Sequence, residues 1–167
     1  MIFVTVGTHE QQFDRLVKAM DDLRGDGILD EKVVIQTGYS TYEPRHCEWS
    51  RLYPYQEMVR LVAETRIVVT HGGPSSFIMP LQIGKVPIVV PRQKRFGEHV
   101  NDHQLEFCRA AENRMRNIIV VEDISKLPNV IGRYGEYERE CRLEGMNHNE
   151  AFNEQLEAIV KELDVGI

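Results

Sequence analysis

A chain of 167 residues can bury one hydrophobic core without disulfide or metal staples, and it leaves little room for a second domain. Its net charge of -6, from 20 Lys and Arg against 26 Asp and Glu, argues against a general nucleic-acid-binding surface. The three cysteines, Cys47, Cys108 and Cys141, include no Cys-x-x-Cys pair, so buried thiols are expected in place of a disulfide framework or a cysteine zinc site.

Residues 2–6 form a short apolar run of the kind buried on both faces of a parallel sheet. No basic segment precedes it, so it reads as a strand and not as a signal peptide. No run approaches the roughly 18 apolar residues of a membrane span, and attachment to a membrane would have to come from elsewhere. Gly7, Thr8, His9 and Glu10 make the following loop. Phe13, Leu16, Val17, Met20 and Leu23 then recur at helical spacing, and Gly25 and Gly27 stop that helix. Residues 32–37 are predicted as the second strand. Residues 46–52 are ambiguous and would make at most a short third strand. Pro54 suits a helix start, with Met58, Leu61 and Val62 as the buried stripe.

Residues 66–70 are predicted as the fourth strand, leading into Gly72-Gly73-Pro74-Ser75-Ser76. The helix expected over 75–83 contains Pro80, so either it bends or Pro80 lies within its first turn. Residues 87–90 are the fifth strand, and 101–113 the next helix with Asn101 as its cap. Residues 117–121 are the sixth strand, and 122–127 a short helix stopped by Pro128. Residues 131–149 are polar and yield no element. Phe152, Leu156, Ile159, Val160 and Leu163 mark a final amphipathic helix. The alternation predicts an α/β fold, a doubly wound Rossmann-like parallel sheet in one domain over 1–167.

In such a sheet, ligands bind at the carboxyl ends of the strands, where the loops 7–10, 72–76 and 91–103 would sit. A glycine turn entering a helix presents free N–H groups and a positive dipole end, which suits a phosphate. Ser75 and Ser76 add hydroxyls at the same place. The turn matches neither G-x-G-x-x-G nor the P-loop, and a glycine turn also serves simply to reverse the chain. Arg92, Lys94 and Arg95 either support an anion or form a solvated surface cluster. His99 and His103 are four apart and could share a helix face, as zinc ligands do, but no third ligand stands near; no metal is expected. His9 is a candidate base at the same edge, and His71 is expected to orient the turn.

Taken together, four stretches resemble the C-terminal domain of family 28 glycosyltransferases, in register and order over residues 1–125. They are Val4-Thr5-Val6-Gly7-Thr8 with Phe13-Asp14-Arg15-Leu16-Val17; Thr70-His71-Gly72-Gly73-Pro74-Ser75-Ser76; Gly84-Lys85-Val86-Pro87-Ile88-Val89-Val90-Pro91-Arg92; and Glu98-His99-Val100-Asn101-Asp102-His103-Gln104. More narrowly, the chain is similar to the stand-alone Alg13-like subunits of capsule and exopolysaccharide clusters.

The resemblance implies the donor half of a GT-B glycosyltransferase, binding a UDP-sugar such as UDP-galactose or UDP-GlcNAc. It further implies an Alg14-like membrane-anchored partner that supplies the acceptor side, a lipid-linked saccharide as acceptor, and a cytoplasmic protein recruited to the inner face of the membrane. The reaction implied is hexose transfer, often of β-1,4-galactose. Gly72, Gly73, Ser75 and Ser76 would hold the diphosphate; His99, His103 and Gln104 would line the donor pocket; Gly7 and Thr8 would form the facing loop.

One departure stands out. Larger family 28 enzymes place a ribose-binding glutamate after the glycine turn, where this chain reads Phe77-Ile78-Met79-Pro80. Glu98 or Asp102 is the expected substitute. The mechanism expected is metal-free inverting transfer, with His9 or a partner residue as base and Arg92, Lys94 or Arg95 stabilising the leaving diphosphate. The alternative is a UDP-sugar-binding scaffold without chemistry. A UDP-GlcNAc-type epimerase would need a second such domain. Self-association into a homo-oligomer stays open.

Overall fold

The central strands of this protein are apolar runs that turn polar only at their carboxyl ends, because both of their faces are covered. The computed structural model describes residues 1–145 and Lys161. Strands β1 (Ile2–Thr5), β2 (Val33–Gln36), β3 (Glu48–Ser50), β4 (Ile67–His71), β5 (Ile88–Val90) and β6 (Ile119–Val120) form one parallel sheet in the order β3-β2-β1-β4-β5-β6. Helices α1 (Asp14–Gly25), α2 (Tyr55–Glu64), α3 (Pro74–Gln82), α4 (His103–Met115), α5 (Leu127–Gly132) and α6 (Tyr134–Gly145) flank it.

Alternate strand residues supply the two faces. Ile2, Val4, Val33, Ile35, Ile67, Val69, Ile88 and Val90 join the buried side chains of α1, α5 and α6 in one core. On the other face, Phe3, Val34 and Val68 pack with Leu61 and Val62 of α2, while Val89 packs with Phe77 of α3 and Cys108, Ala111 and Met115 of α4. Strands β1, β2, β4 and β5 therefore have helical cover on both sides.

The helix ends are secured by particular side chains. The ammonium of Lys85 donates to the carbonyls of Val62 (2.7 Å), Ala63 (2.7 Å) and Thr65 (2.5 Å) at the end of α2, which otherwise lack helical partners. At the end of α3, Lys85 N bonds Pro80 O at 2.9 Å and Gly84 takes a φ of 80°.

Several expectations need correction. Pro80 does not lie in the first turn of its helix; α3 begins with Pro74 and holds Pro80 in its interior, where the ring removes the N–H that would bond Ser76 O. Pro128 does not stop a helix but stands in the first turn of α5, where an N–H would be unpaired anyway; the residues before it make only a 3₁₀ turn, Ile124–Lys126. Residues 134–145, which yielded no element, are α6. That helix is mostly solvated and touches the core only through Tyr134, Tyr137 and Cys141, too few anchors to show a period among so many charges. Helix α4 starts two residues later than expected. Its N-cap is Asp102, without a side-chain cap bond, and not Asn101 as expected; Asn101 stands one residue earlier, its Oδ1 accepting from His103 N at 3.0 Å. The final helix expected around 150–163 falls, apart from Lys161, outside the described residues.

Candidate functional site

Strand order reverses between β1 and β4, so a crevice opens at their carboxyl ends. Three loops meet there: residues 6–13 after β1, 72–73 after β4, and 91–102 after β5. Their meeting is held by a buried pair, His71 and Arg92.

His71 ends β4 and is 6% exposed. Its Nδ1 accepts from Gly73 N at 3.1 Å and from Arg92 Nη1 at 3.0 Å, while Nε2 lies 2.8 Å from Ser76 Oγ. The ring orients the turn, as its position suggested. Burial, followed by the charge of Arg92, pushes its pKa down to about 3, so His71 is neutral at physiological pH. Two glycines flank the ring. A Cβ on Gly7 would stand 2.3 Å from His71 Nε2, and one on Gly73 would stand 2.2 Å from Cε1. Gly7 also has a φ of 75°, which favours glycine in its own right. These glycines answer to packing on His71 as much as to turn geometry.

Arg92 is fully buried. Nη2 donates to Val6 O at 3.0 Å and Gln11 O at 3.1 Å, Phe13 lies under the guanidinium at 5.1 Å, and Nε has no partner. Burial lowers its pKa to about 10, against the raising influence of Glu98, so the group remains cationic. The expectation of direct contact with a donor therefore does not fit Arg92 in this conformation. Glu98 is equally committed. It is 1% exposed and accepts from Arg15 Nε (2.9 Å), Arg15 Nη2 (3.0 Å) and Gln93 N (3.1 Å), which leaves no open carboxylate for a ribose. Asp102 accepts from Lys94 N at 2.9 Å.

The remaining residues line the opening. His9 and His99 stack with ring centroids 5.5 Å apart and planes at 28°. Each Nδ1 faces a backbone N–H two residues on, Gln11 N and Asn101 N, both at 3.4 Å. Burial and then the neighbouring His9 lower the pKa of His99. Thr8, Ser75 and His103 are exposed; Ser76 and Gln104 are half-buried, with Gln104 Oε1 accepting from Arg92 N at 3.1 Å. No side chain caps α3; Pro74 has no N–H, Gly73 N bonds His71 Nδ1 and Ser76 N bonds Gly73 O at 3.1 Å, so Ser75 N is the first-turn amide left for an outside acceptor. Lys94 and Arg95 lie exposed on a 3₁₀ turn, Lys94–Phe96, with Arg95 folded onto Gln93 and the Phe96 ring.

The structure thus gathers Gly7, Thr8, His9, the Gly72–Ser76 turn, His99 and Gln104 at one edge, and withdraws Arg92 and Glu98 beneath it. The Arg15–Glu98 pair went unassigned from the sequence because its members are 83 positions apart. Among the described residues, no group of three His, Cys, Asp or Glu is arranged to hold a metal ion. A cavity of about 670 Å³ lies elsewhere, between α4, α6 and the β6 edge, lined by residues such as Arg109, Glu112 and Cys141. It shares no residue with the crevice.

The sequence profile of the glycosyltransferase family 28 C-terminal domain matches residues 1–163. The chain belongs to that family. No curated protein matches it in sequence. Among solved structures, this family 28 domain is similar to the glycosyltransferase SnogD from Streptomyces nogalater, with TM-score 0.57 and 15% identity over 98% of this chain and 43% of that one. It is also similar to the glycotransferase of kitacinnamycin, with TM-score 0.48 and 16% identity over 86% of this chain and 39% of that one. The chain therefore spans less than half the length of either. The six-stranded parallel sheet with helices on both faces is the architecture of the C-terminal half of a GT-B glycosyltransferase. Among its described residues, no helix is long and apolar enough to cross a membrane.

Proposed function

We propose that this family 28 domain binds the donor in a two-component inverting glycosyltransferase, which moves a hexose from a UDP-sugar to a lipid-linked saccharide in polysaccharide biosynthesis. The observation that carries this reading is the uncapped start of α3, with Ser75 and Ser76, set at the strand-order reversal of a chain matched by the family over 1–163. The acceptor side would come from a separate membrane-anchored subunit.

On this reading the diphosphate sits on Gly72, Gly73, Ser75 and Ser76, and the sugar lies toward His9, His99, His103 and Gln104. Gly7 and Thr8 close the opposite wall. The acceptor oxygen attacks the anomeric carbon from the side opposite the diphosphate. A C–O bond forms, the bond from carbon to the phosphate oxygen breaks, and UDP leaves with the electron pair. On this reading His9, exposed at the rim, or a residue of the partner subunit takes the acceptor proton. No metal is required, because α3 and the buried Arg92 face the developing negative charge.

The test is turnover with the acceptor-side subunit present. Ser75→Ala with Ser76→Ala is expected to abolish UDP-galactose or UDP-GlcNAc turnover, and His9→Ala to lower it by about two orders of magnitude, in the range of a general base. If the serine variant loses binding while turnover persists, the chain is a scaffold and the chemistry lies elsewhere.

A further inference from the structure

We propose that Arg92 acts on the bound diphosphate without touching it, through a relay from Arg92 to His71 to Ser76 that aims the Ser76 hydroxyl hydrogen outward. The inference rests on the reading of this edge as a diphosphate site.

Two N–H donors, from Gly73 and Arg92, converge on His71 Nδ1, so that nitrogen carries no proton. A neutral imidazole has one proton, which must then be on Nε2. Nε2 is 2.8 Å from Ser76 Oγ and donates to it. The hydroxyl has a single hydrogen of its own, and His71 is the one partner of Ser76 Oγ among the described side-chain hydrogen bonds. That hydrogen is left for a ligand in front of the α3 start. Arg92 thereby fixes the tautomer of His71, and His71 fixes the direction of Ser76.

The charge of Arg92 points the same way. A buried cation is ordinarily paired with a carboxylate. Arg92 is fully buried, its described hydrogen-bond partners are two carbonyls and an imidazole, and Nε is unpartnered. The nearby carboxylate, Glu98, is engaged by Arg15. One carboxylate thus faces two arginines, which leaves a net positive charge one imidazole behind the hydroxyl, and an anion such as a diphosphate supplies the compensation. Arg92 and His71 are positioning residues here; Ser76 is the one that touches the ligand.

The first test needs no variant. In a histidine ¹⁵N spectrum of the wild-type protein, His71 should show a proton on Nε2 and a bare Nδ1, unchanged between pH 5 and 8. A proton on Nδ1, or titration in that window, overturns the relay. The second test is a double-mutant cycle read as dissociation constants for inorganic pyrophosphate and for UDP. Ser76→Ala should weaken pyrophosphate binding about tenfold, as loss of a hydrogen bond to a charged group does. Arg92→Met should weaken it at least as much, and the double variant should lose little beyond Arg92→Met alone.

Strictly additive losses would mean that Arg92 serves only the fold and would overturn the relay, while leaving the nucleotide reading intact. Pyrophosphate binding with a coupled cycle but no UDP binding would keep the relay and sink the nucleotide reading. If Arg92→Met does not fold, the tautomer spectrum and Ser76→Ala decide. Failure of the wild type to bind either probe overturns the relay as an anion device.

Discussion

His71 is the residue on which the crevice turns, and its burial makes a stability prediction whose sign can be worked out. Its pKa is about 6.5 when unfolded and about 3 in the folded protein, so below pH 6.5 the unfolded chain binds a proton that the folded one refuses. The contribution of this residue is complete above pH 6.5 and is lost as pH falls from there toward 3. Unfolding at pH 5 to 6 should therefore take up about one proton from this site, a slope of up to about 1.4 kcal/mol per pH unit. His99, also lowered, adds in the same direction. Urea denaturation across this range checks it, and a flat profile would show that His71 is protonated in the folded state.

The two glycines beside that ring give a second residue-scale prediction. Gly7→Ala places a Cβ 2.3 Å from His71 Nε2 at a φ of 75°. The left-handed backbone alone costs about 1–2 kcal/mol, and displacement of the ring adds to it. Urea midpoints should fall accordingly, with nucleotide binding lost in parallel. Glu98 gives a third. Because its carboxylate is held by Arg15 and Gln93 N, Glu98→Gln should reduce stability without changing the preference for UDP over 2′-deoxy-UDP. A changed preference would restore Glu98 as the ribose contact.

Among the elements, legibility followed burial. Strands β1, β2, β4 and β5 announce themselves as apolar runs because helices cover both of their faces. Strand β3 was ambiguous because it is the edge strand, and Glu48, Trp49 and Ser50 are exposed or half-buried. Helix α6 was missed because its core contacts are Tyr134, Tyr137 and Cys141 alone.

The site divides in the same manner. Gly72, Gly73, Ser75 and Ser76 are adjacent in sequence and could be read as one anion-binding turn. The roles of Arg92 and Glu98 depend on Val6, Gln11 and Arg15, remote in sequence, and no local period records such partners. Lys85 is a further case, read only as part of a Gly-Lys turn although its ammonium satisfies the end of α2. Lys85→Met would leave three carbonyls short of a donor, with an expected loss of about 1–3 kcal/mol in urea unfolding. A neutral outcome would show that water replaces the ammonium at no cost.

At the scale of the whole molecule, the fold brings the loops after β1, β4 and β5 together at the strand-order reversal between β1 and β4. The chain is matched by its family over 1–163. On the proposed reading, the acceptor wall belongs to another subunit. On that reading the edge suits negative charge, with the uncapped α3 start in front and a buried cation behind, in a chain whose overall charge is -6.

The most direct measurement is calorimetric titration of UDP, UDP-galactose and UDP-GlcNAc into the purified chain in EDTA, alone and with the co-expressed acceptor-side subunit. The account predicts micromolar to low-millimolar binding, roughly 4–8 kcal/mol, that survives EDTA and is lost in the Ser75→Ala, Ser76→Ala variant. The tighter-binding sugar would name the donor. Absence of nucleotide binding both alone and with the subunit, or binding that the serine variant leaves unchanged, would contradict it.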